Sequence, residues 1–352
     1  MTADEIARSI LAADVAPACA AGCAVRAGPW RRELGGLTEL LFDLASVTKP
    51  MTAVAFACTG VARDTELGAL LPEARGTASE RASMELLFAH RAGLEAHRTL
   101  YAPLLRGESV DVAQALRQAA DARRPDAEGA FPSDGFAPVY SDLGYVLAGA
   151  ALARIVAAKD AGEAIERLVL EPLGIEREAG TVRGLAIRGV RGPFAPTETV
   201  AFRGGPVVGA VHDENAWALT GLGGSGQAGV FASVGSVLTF GAAVLDALSG
   251  GGGPFGDVDL GWLVRDRPGG TLRAGFDGKS SEGSSGGMRM SPRSFGHLGF
   301  TGTSLWIDPL AHIVVTLLTN RICPSRSALS LRSARPAAHD ALWKRASELA
   351  RS

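Results

Sequence analysis

Lysine is almost absent from this chain. Of its 35 basic residues only Lys49, Lys159, Lys279 and Lys344 are lysines, so arginine serves nearly wherever a cation is needed. Arginine cannot be deprotonated in a protein, and a lysine kept in such a chain points to a role that needs an amine. Cysteine is scarce too, limited to Cys19, Cys23, Cys58 and Cys323. Cys19 and Cys23 fall in a predicted strand, where four residues span about 13 Å, too far for a bridge. Metal-ligand spacing is also missing, so the expectation is reduced, buried thiols with no metal and no cofactor. No apolar run approaches the length of a membrane span. The N-terminal segment carries Asp4 and Glu5 early and Asp14 later, unlike a secretory signal. A formal charge of −2 gives no footprint for nucleic acid or anionic membrane. A cytoplasmic protein without nucleic-acid or membrane partners is expected, and its oligomeric state is left open.

What is present is the composition of a folded protein, 352 residues with 47% hydrophobic and 20% charged, enough for one large or two ordinary domains. Residues 4–13 are amphipathic with helical spacing, and 16–27 and 30–37 read as two strands of a hairpin-like pair across Gly28-Pro29. From Ser46 to about Leu173 the periodicity is almost wholly helical, with helices expected over 84–90, 110–122, 142–158 and 161–170. Residues 184–211 turn to Gly, Pro and Arg and read as an irregular insertion. Helix 233–248 follows, then strands over 294–299, 304–308 and 312–320, then a last helix over 337–350. Strands at both ends around a helical middle predict an α/β (α+β) protein: an antiparallel sheet flanked by helices, with a mostly helical domain inserted. The expected division is 1–60 with 205–352 for the sheet domain and 61–204 for the helical one, with the site at their junction.

Ser46 and Lys49 are the pair on which the chain is organised. If a helix starts near Ser46, their spacing puts hydroxyl and amine on one face, one turn apart. A helix N-terminus and desolvation would both lower the amine's pKa, letting Lys49 act as a base toward Ser46. Tyr140, one of three tyrosines, lies in a loop just before a predicted helix. A neighbouring ammonium would lower its pKa, and such a phenolate could relay a proton to a leaving group. In the stretch 296–302, glycines at 296, 299 and 302 would let another molecule approach a strand backbone. The Phe300 N–H, with that of Ser46, could then form an oxyanion hole.

In this order the three stretches resemble the serine β-lactamase and penicillin-binding-protein superfamily, specifically class C β-lactamase-like proteins and related carboxylesterases. Ser46-x-x-Lys49 matches the first motif, Tyr140-Ser141-Asp142 the Y-x-N position, and His297-Leu298-Gly299 the K-T-G position. Segments 87–94, 211–216 and 318–321 add similarity, so it spans nearly the whole chain. The resemblance implies acylation of Ser46, proton transfer shared by Lys49 and Tyr140, an oxyanion hole from the Ser46 and Phe300 amides, and substrate contacts at Asp142, His297 and Gly299.

Two departures bear on the substrate. Asp142 stands where the β-lactamases carry Asn; ionised, it only accepts hydrogen bonds. His297 replaces a permanently charged Lys and is mostly neutral at pH 7. Both weaken recognition of an acylamido, carboxylate-bearing β-lactam, so the expectation is a serine hydrolase acting on small esters or amides, with esters preferred. The alternatives are a β-lactamase or D-aminoacyl peptidase and, in another class, a non-catalytic binding protein on the same fold. A G-x-G-x-x-G match at 221–226 lacks the strand context of a dinucleotide site and reads as a glycine loop near the site. Asp213 reads as a helix cap rather than a metal ligand.

Overall fold

Thr2 and Glu5 open the chain with a capping box, each side chain bonding the other's backbone N–H, and start helix α1 (Ala3–Ala12). The computed structural model describes residues 1–351. Strands β1 (Cys19–Arg26) and β2 (Trp30–Gly36) follow as an antiparallel pair. Helix α2 (Thr48–Cys58) and helix α3 (Asp142–Ile155) belong to the helical middle, and helix α4 (Val234–Leu248) returns the chain toward the sheet. The chain closes with β3 (Asp277–Gly278), β4 (Phe295–Leu298), β5 (Ser304–Asp308), β6 (Ile313–Thr319) and helix α5 (Leu331–Leu349). The six strands form one antiparallel sheet in the order β2-β1-β6-β5-β4-β3. Strands from both ends of the chain thus meet at the β1–β6 seam, where Cys19 pairs with Thr319 and Val25 with Ile313.

Period-two alternation divides the sheet between two cores. Cys19, Ala21, Cys23 and Val25 face α1 and α5 with Val315, Leu317 and Leu342. Ala20 and Ala24 face the other way, into a cluster that runs through Leu238 and Phe240 of α4 to Leu147 of α3, so sheet and helical region share one continuous core. Glycines let α4 lie close on the sheet, since a Cβ on Gly22 would stand 2.8 Å from Leu238 and one on Gly241 2.6 Å from Val314. The four cysteines are free, and burial pushes the Cys19 and Cys23 thiols up to about 12. Among the described residues no helix is long and apolar enough to cross a membrane.

Several expected boundaries move. The final helix begins at Leu331 rather than 337 and runs through Pro336, a residue that ordinarily breaks a helix interior. Short helices at Leu67–Leu70 and Ala102–Leu105 are too brief for periodicity to reveal. The stretch 184–211 is largely irregular, as expected, with a short strand pair between Thr199–Val200 and Gly205–Pro206.

Candidate active site

Ser46 does not begin an α-helix. It occupies a 3-10 turn (Ala45–Val47) that runs into α2, and the residue before it, Ala45, is left-handed with φ 48°. The elbow is fixed by the buried Asp43 carboxylate, which accepts the Ala45 N–H at 2.8 Å and the His212 N–H at 2.7 Å. Burial pushes that carboxyl up to about 6, against the pull of the two N–H groups. From the sheet side, Thr301 Oγ1 donates to the Asp43 carbonyl at 2.7 Å and Thr303 Oγ1 to that of Leu44 at 2.8 Å. A strained backbone held this firmly presents one hydroxyl in a set direction.

Lys49 is wholly buried. Its Nζ donates to Ser46 Oγ at 2.8 Å, to Asp142 Oδ1 at 2.7 Å and to the Gln227 carbonyl at 3.4 Å, and lies 4.9 Å from the Tyr140 ring centre. The expected lowering of its pKa is overturned. Burial does pull it down, but the Asp142 carboxylate and Tyr140 outweigh burial and hold the ammonium above its usual range. Asp142, which begins α3 two residues after Tyr140, is therefore the counter-ion of Lys49.

Tyr140 follows the same logic, and its expected lowering is also corrected. Burial raises its pKa and Asp142 adds to that, more than the Lys49 charge and hydrogen bonds with Lys49 and Ser46 take back. Its ring stacks on His90, 4.7 Å between centres. His90 is left-handed (φ 59°) and accepts the Ser141 N–H at Nδ1, 3.0 Å away, tying the Tyr140 loop to the helix before it. His297 on β4 lies 6.0 Å from the Tyr140 ring, and its Nδ1 donates to the Leu298 carbonyl at 2.8 Å. Burial, then the Lys49 charge, pushes His297 down to about 3, so it is neutral throughout the physiological range.

The glycines of the β4 turn make room for this chain's own backbone, not for another molecule. A Cβ on Gly299 would stand 2.4 Å from the Leu44 carbonyl and 2.0 Å from Thr303 Oγ1, and one on Gly296 would meet the Leu305 carbonyl at 2.0 Å. That close approach brings the Phe300 backbone beside the Ser46 turn, and among the described residues neither the Ser46 nor the Phe300 N–H has a hydrogen-bond partner. The Phe300 ring is half exposed, stacked on His212 at 5.8 Å. Ser46, Tyr140, Asp142, His212, Gly299 and Phe300 line a cavity of about 440 Å³ together with Arg321, Arg332 and Arg335. The glycine loop 221–226 packs behind it, with Gly226 accepting from Thr52 Oγ1 at 2.8 Å. Asp213 caps the helix Glu214–Thr220, and among the described residues no cluster of acidic, histidine or cysteine side chains could hold a metal.

The family model described as Beta-lactamase matches residues 22–336. The chain belongs to the beta-lactamase family. A putative D-alanyl-D-alanine carboxypeptidase of Salmonella gallinarum is 31% identical over 203 residues, 52% of this chain and 45% of that protein. The match thus spans about half the length of that relative. Among solved structures, a β-lactamase from Mycobacterium bovis is similar over 97% of this chain and 99% of its own, at 21% identity and TM-score 0.61. The class C β-lactamase of Rhodobacter sphaeroides covers 96% and 98% at 15% identity and TM-score 0.64. EstCE1, a hydrolase with promiscuous acyltransferase activity, covers 94% and 96% at 19% identity and TM-score 0.63. At these identities the structural likeness shows the fold.

Three residues that shape the site escaped the sequence reading. Asp43 is a lone acid in the apolar run Leu40–Leu44, a signal that was there to be used. His90 falls at the end of an expected helix, in a segment that carries the resemblance, with nothing to mark it as a residue of the site. Gln227, whose carbonyl meets Lys49 and whose Nε2 donates to Asp213 at 3.1 Å, carried no signal.

Proposed function

We propose that this protein is a serine hydrolase that cleaves small esters through an acyl-enzyme on Ser46. The observation that carries the reading is the 2.8 Å contact between Ser46 Oγ and the buried Lys49 Nζ at the edge of an open cavity. Ser46 Oγ attacks the ester carbonyl while its proton passes to the coupled Lys49/Tyr140 pair, which then gives it to the departing alcohol oxygen. Water attacks the acyl carbon, its proton taken by the same pair and returned to Ser46 as the acid leaves. The unpaired Ser46 and Phe300 N–H groups would hold the oxyanion in both steps. Asp142 and Gly299 line the cavity and border the substrate, while His297, 5% exposed, lies outside that lining. For the pair to accept a proton it must first have lost one, and Asp142 opposes that loss, so turnover should rise toward alkaline pH.

Neutral His297 supports esters over β-lactams, because β4 then offers no cation to a ring carboxylate. The 31% identity to putative D-alanyl-D-alanine carboxypeptidases supports a second reading, a D-aminoacyl peptidase. The test is hydrolysis of p-nitrophenyl acetate and butyrate beside a chromogenic cephalosporin and an acyl-D-Ala-D-Ala peptide, by the protein and its Ser46→Ala variant, with intact mass spectra during turnover. Ester turnover lost in Ser46→Ala, with little cephalosporin or peptide cleavage, is the expected result. Ser46-dependent release of D-Ala or opening of the cephalosporin would favour the rival activities. With no adduct and no turnover, a non-catalytic binding role is the better reading.

A further inference from the structure

The cavity that holds Ser46 is also lined by a cluster of guanidinium groups. Arg321 follows β6, and Arg332 and Arg335 lie in the first two turns of α5. A fourth, Arg326, is already neutralised by Glu198 at 2.6 Å and Glu214 at 2.8 Å. The other three are not. Arg335 is only 8% exposed, yet among the described residues its side chain has no hydrogen bond or ion pair and its Nε is buried without a partner. Burial and then the charge of Arg321 push it down to about 10, and Arg321 in turn feels Arg332. The acids of the same cavity are committed elsewhere: Asp142 to Lys49, Glu214 to Arg326, and Asp213 to Gln227 and the Ala216 N–H.

The helix compounds the imbalance. Its N-terminus is the positive end of the backbone dipole, where acids are favourable and cations are not. Here the first turn has no acid, the N-cap Ser330 makes no side-chain hydrogen bond, and Arg332 in the first turn and Arg335 in the second add cations there. Nothing in the packing explains a buried, unpartnered cation beside two like charges. A negative ligand would.

We propose that Arg321, Arg332 and Arg335 form a subsite for a dianionic group, a phosphate monoester or a pair of carboxylates, carried by the substrate of Ser46. The charge count selects a dianion, since a single carboxylate would leave two of the three arginines uncompensated. The link to Ser46 is Phe300, whose ring lies under the Arg321 guanidinium at 5.1 Å while its backbone borders the Ser46 turn. This deepens the ester-hydrolase reading and rests on it only for the word substrate.

The test separates the two. Calorimetric titration of the Ser46→Ala protein with inorganic phosphate, glutarate and acetate needs no turnover. One dianion should bind at least about tenfold tighter than acetate, and Arg335→Gln or the more exposed Arg332→Gln should each lose about tenfold or more. Arg335→Lys should recover part of the loss. Phosphate tighter than glutarate assigns a phosphate, and the reverse assigns paired carboxylates. Acetate binding as well as either dianion, or dianion affinity unchanged in both Gln variants, overturns the subsite. The tighter dianion should also inhibit p-nitrophenyl butyrate hydrolysis competitively in the unsubstituted protein; binding without competition overturns its place in the substrate. If that ester is not hydrolysed at all, the hydrolase reading fails while the titration still decides the subsite.

Discussion

Two buried cations stand at one cavity, Arg335 in its lining and Lys49 bonded to its Ser46, and are held in opposite ways. Lys49 has an acid at 2.7 Å, a hydroxyl at 2.8 Å and a carbonyl at 3.4 Å, while Arg335 has no polar partner among the described residues. Desolvation acts downward on both. At Lys49 the local acid reverses it; at Arg335 nothing does. The end of the cavity that would do chemistry is electrically closed, and the other end is open. Only the open end changes its charge balance when an anion arrives.

The sharpest way to break this comparison is to exchange one cation for another. Lys49→Arg keeps a charge beside Asp142 but removes the amine, since a guanidinium cannot give up its proton in a protein. If Lys49 works as an amine, Ser46-dependent ester turnover should fall at least about a thousandfold, measured as kcat/KM on p-nitrophenyl butyrate. A loss under tenfold would show that Lys49 is only a structural cation.

Next in size is the counter-ion. Asp142 stabilises the protonated forms of both Lys49 and Tyr140, so the neutral Asn of Asp142→Asn should let the pair lose its proton at lower pH. The alkaline-rising limb of kcat/KM should move down by about one to three pH units. A limb that stays in place would mean that another group takes the Ser46 proton. The same variant leaves a buried ammonium without its acid and should destabilise the fold, read as a lower urea midpoint.

The opposite sign is expected at the open end. Arg335→Met fills the same volume without an unpaired buried charge and should stabilise the protein by about 1–3 kcal/mol, read from urea unfolding. Lys49→Met should lower stability, because it strands Asp142. If Arg335→Met also destabilises, Arg335 is a packing element and the contrast between the two cations disappears.

How far this was legible in the sequence follows from what each feature depends on. The sheet shared by both ends of the chain, and the helical middle, were readable because periodicity is local and strong there. Ser46, Lys49 and Tyr140 were readable because spacing and rarity mark them. The protonation states were not, since they depend on Asp142, 93 residues from Lys49 and 2.7 Å away from it. The Ala45 elbow was missed because its left-handed turn is imposed by Asp43, Thr301 and Thr303 and not by a glycine. Arg335 was missed for the reason that makes it informative. It lies next to a proline in a helix expected to start later, and in an arginine-rich chain one more arginine carries no signal until its partners prove absent.

The smallest expected effect lies one turn along α5. His339 is fully buried, with Nε2 2.9 Å from Ser304 Oγ and Nδ1 donating to the Ser285 carbonyl at 2.7 Å. Burial pushes it down to about 3 despite that carbonyl, and the Arg335 charge adds to the lowering. An unfolded histidine titrates near 6.5. Between about pH 6.5 and 3 the unfolded chain therefore binds a proton at this position that the folded chain refuses, so its contribution to stability falls as pH falls. His339→Gln can still bond both partners and takes up no proton. It should flatten the acid side of the stability curve by up to about 1.4 kcal/mol per pH unit, measured by urea unfolding at pH 7, 6 and 5. Arg335→Met should leave the onset of that loss near pH 6.5 and end it at slightly higher pH, because losing a neighbouring cation makes His339 easier to protonate in the folded state. An acid limb unchanged in His339→Gln would mean that His339 is reached by protons without unfolding, and that the interior beneath the arginine wall is open to water.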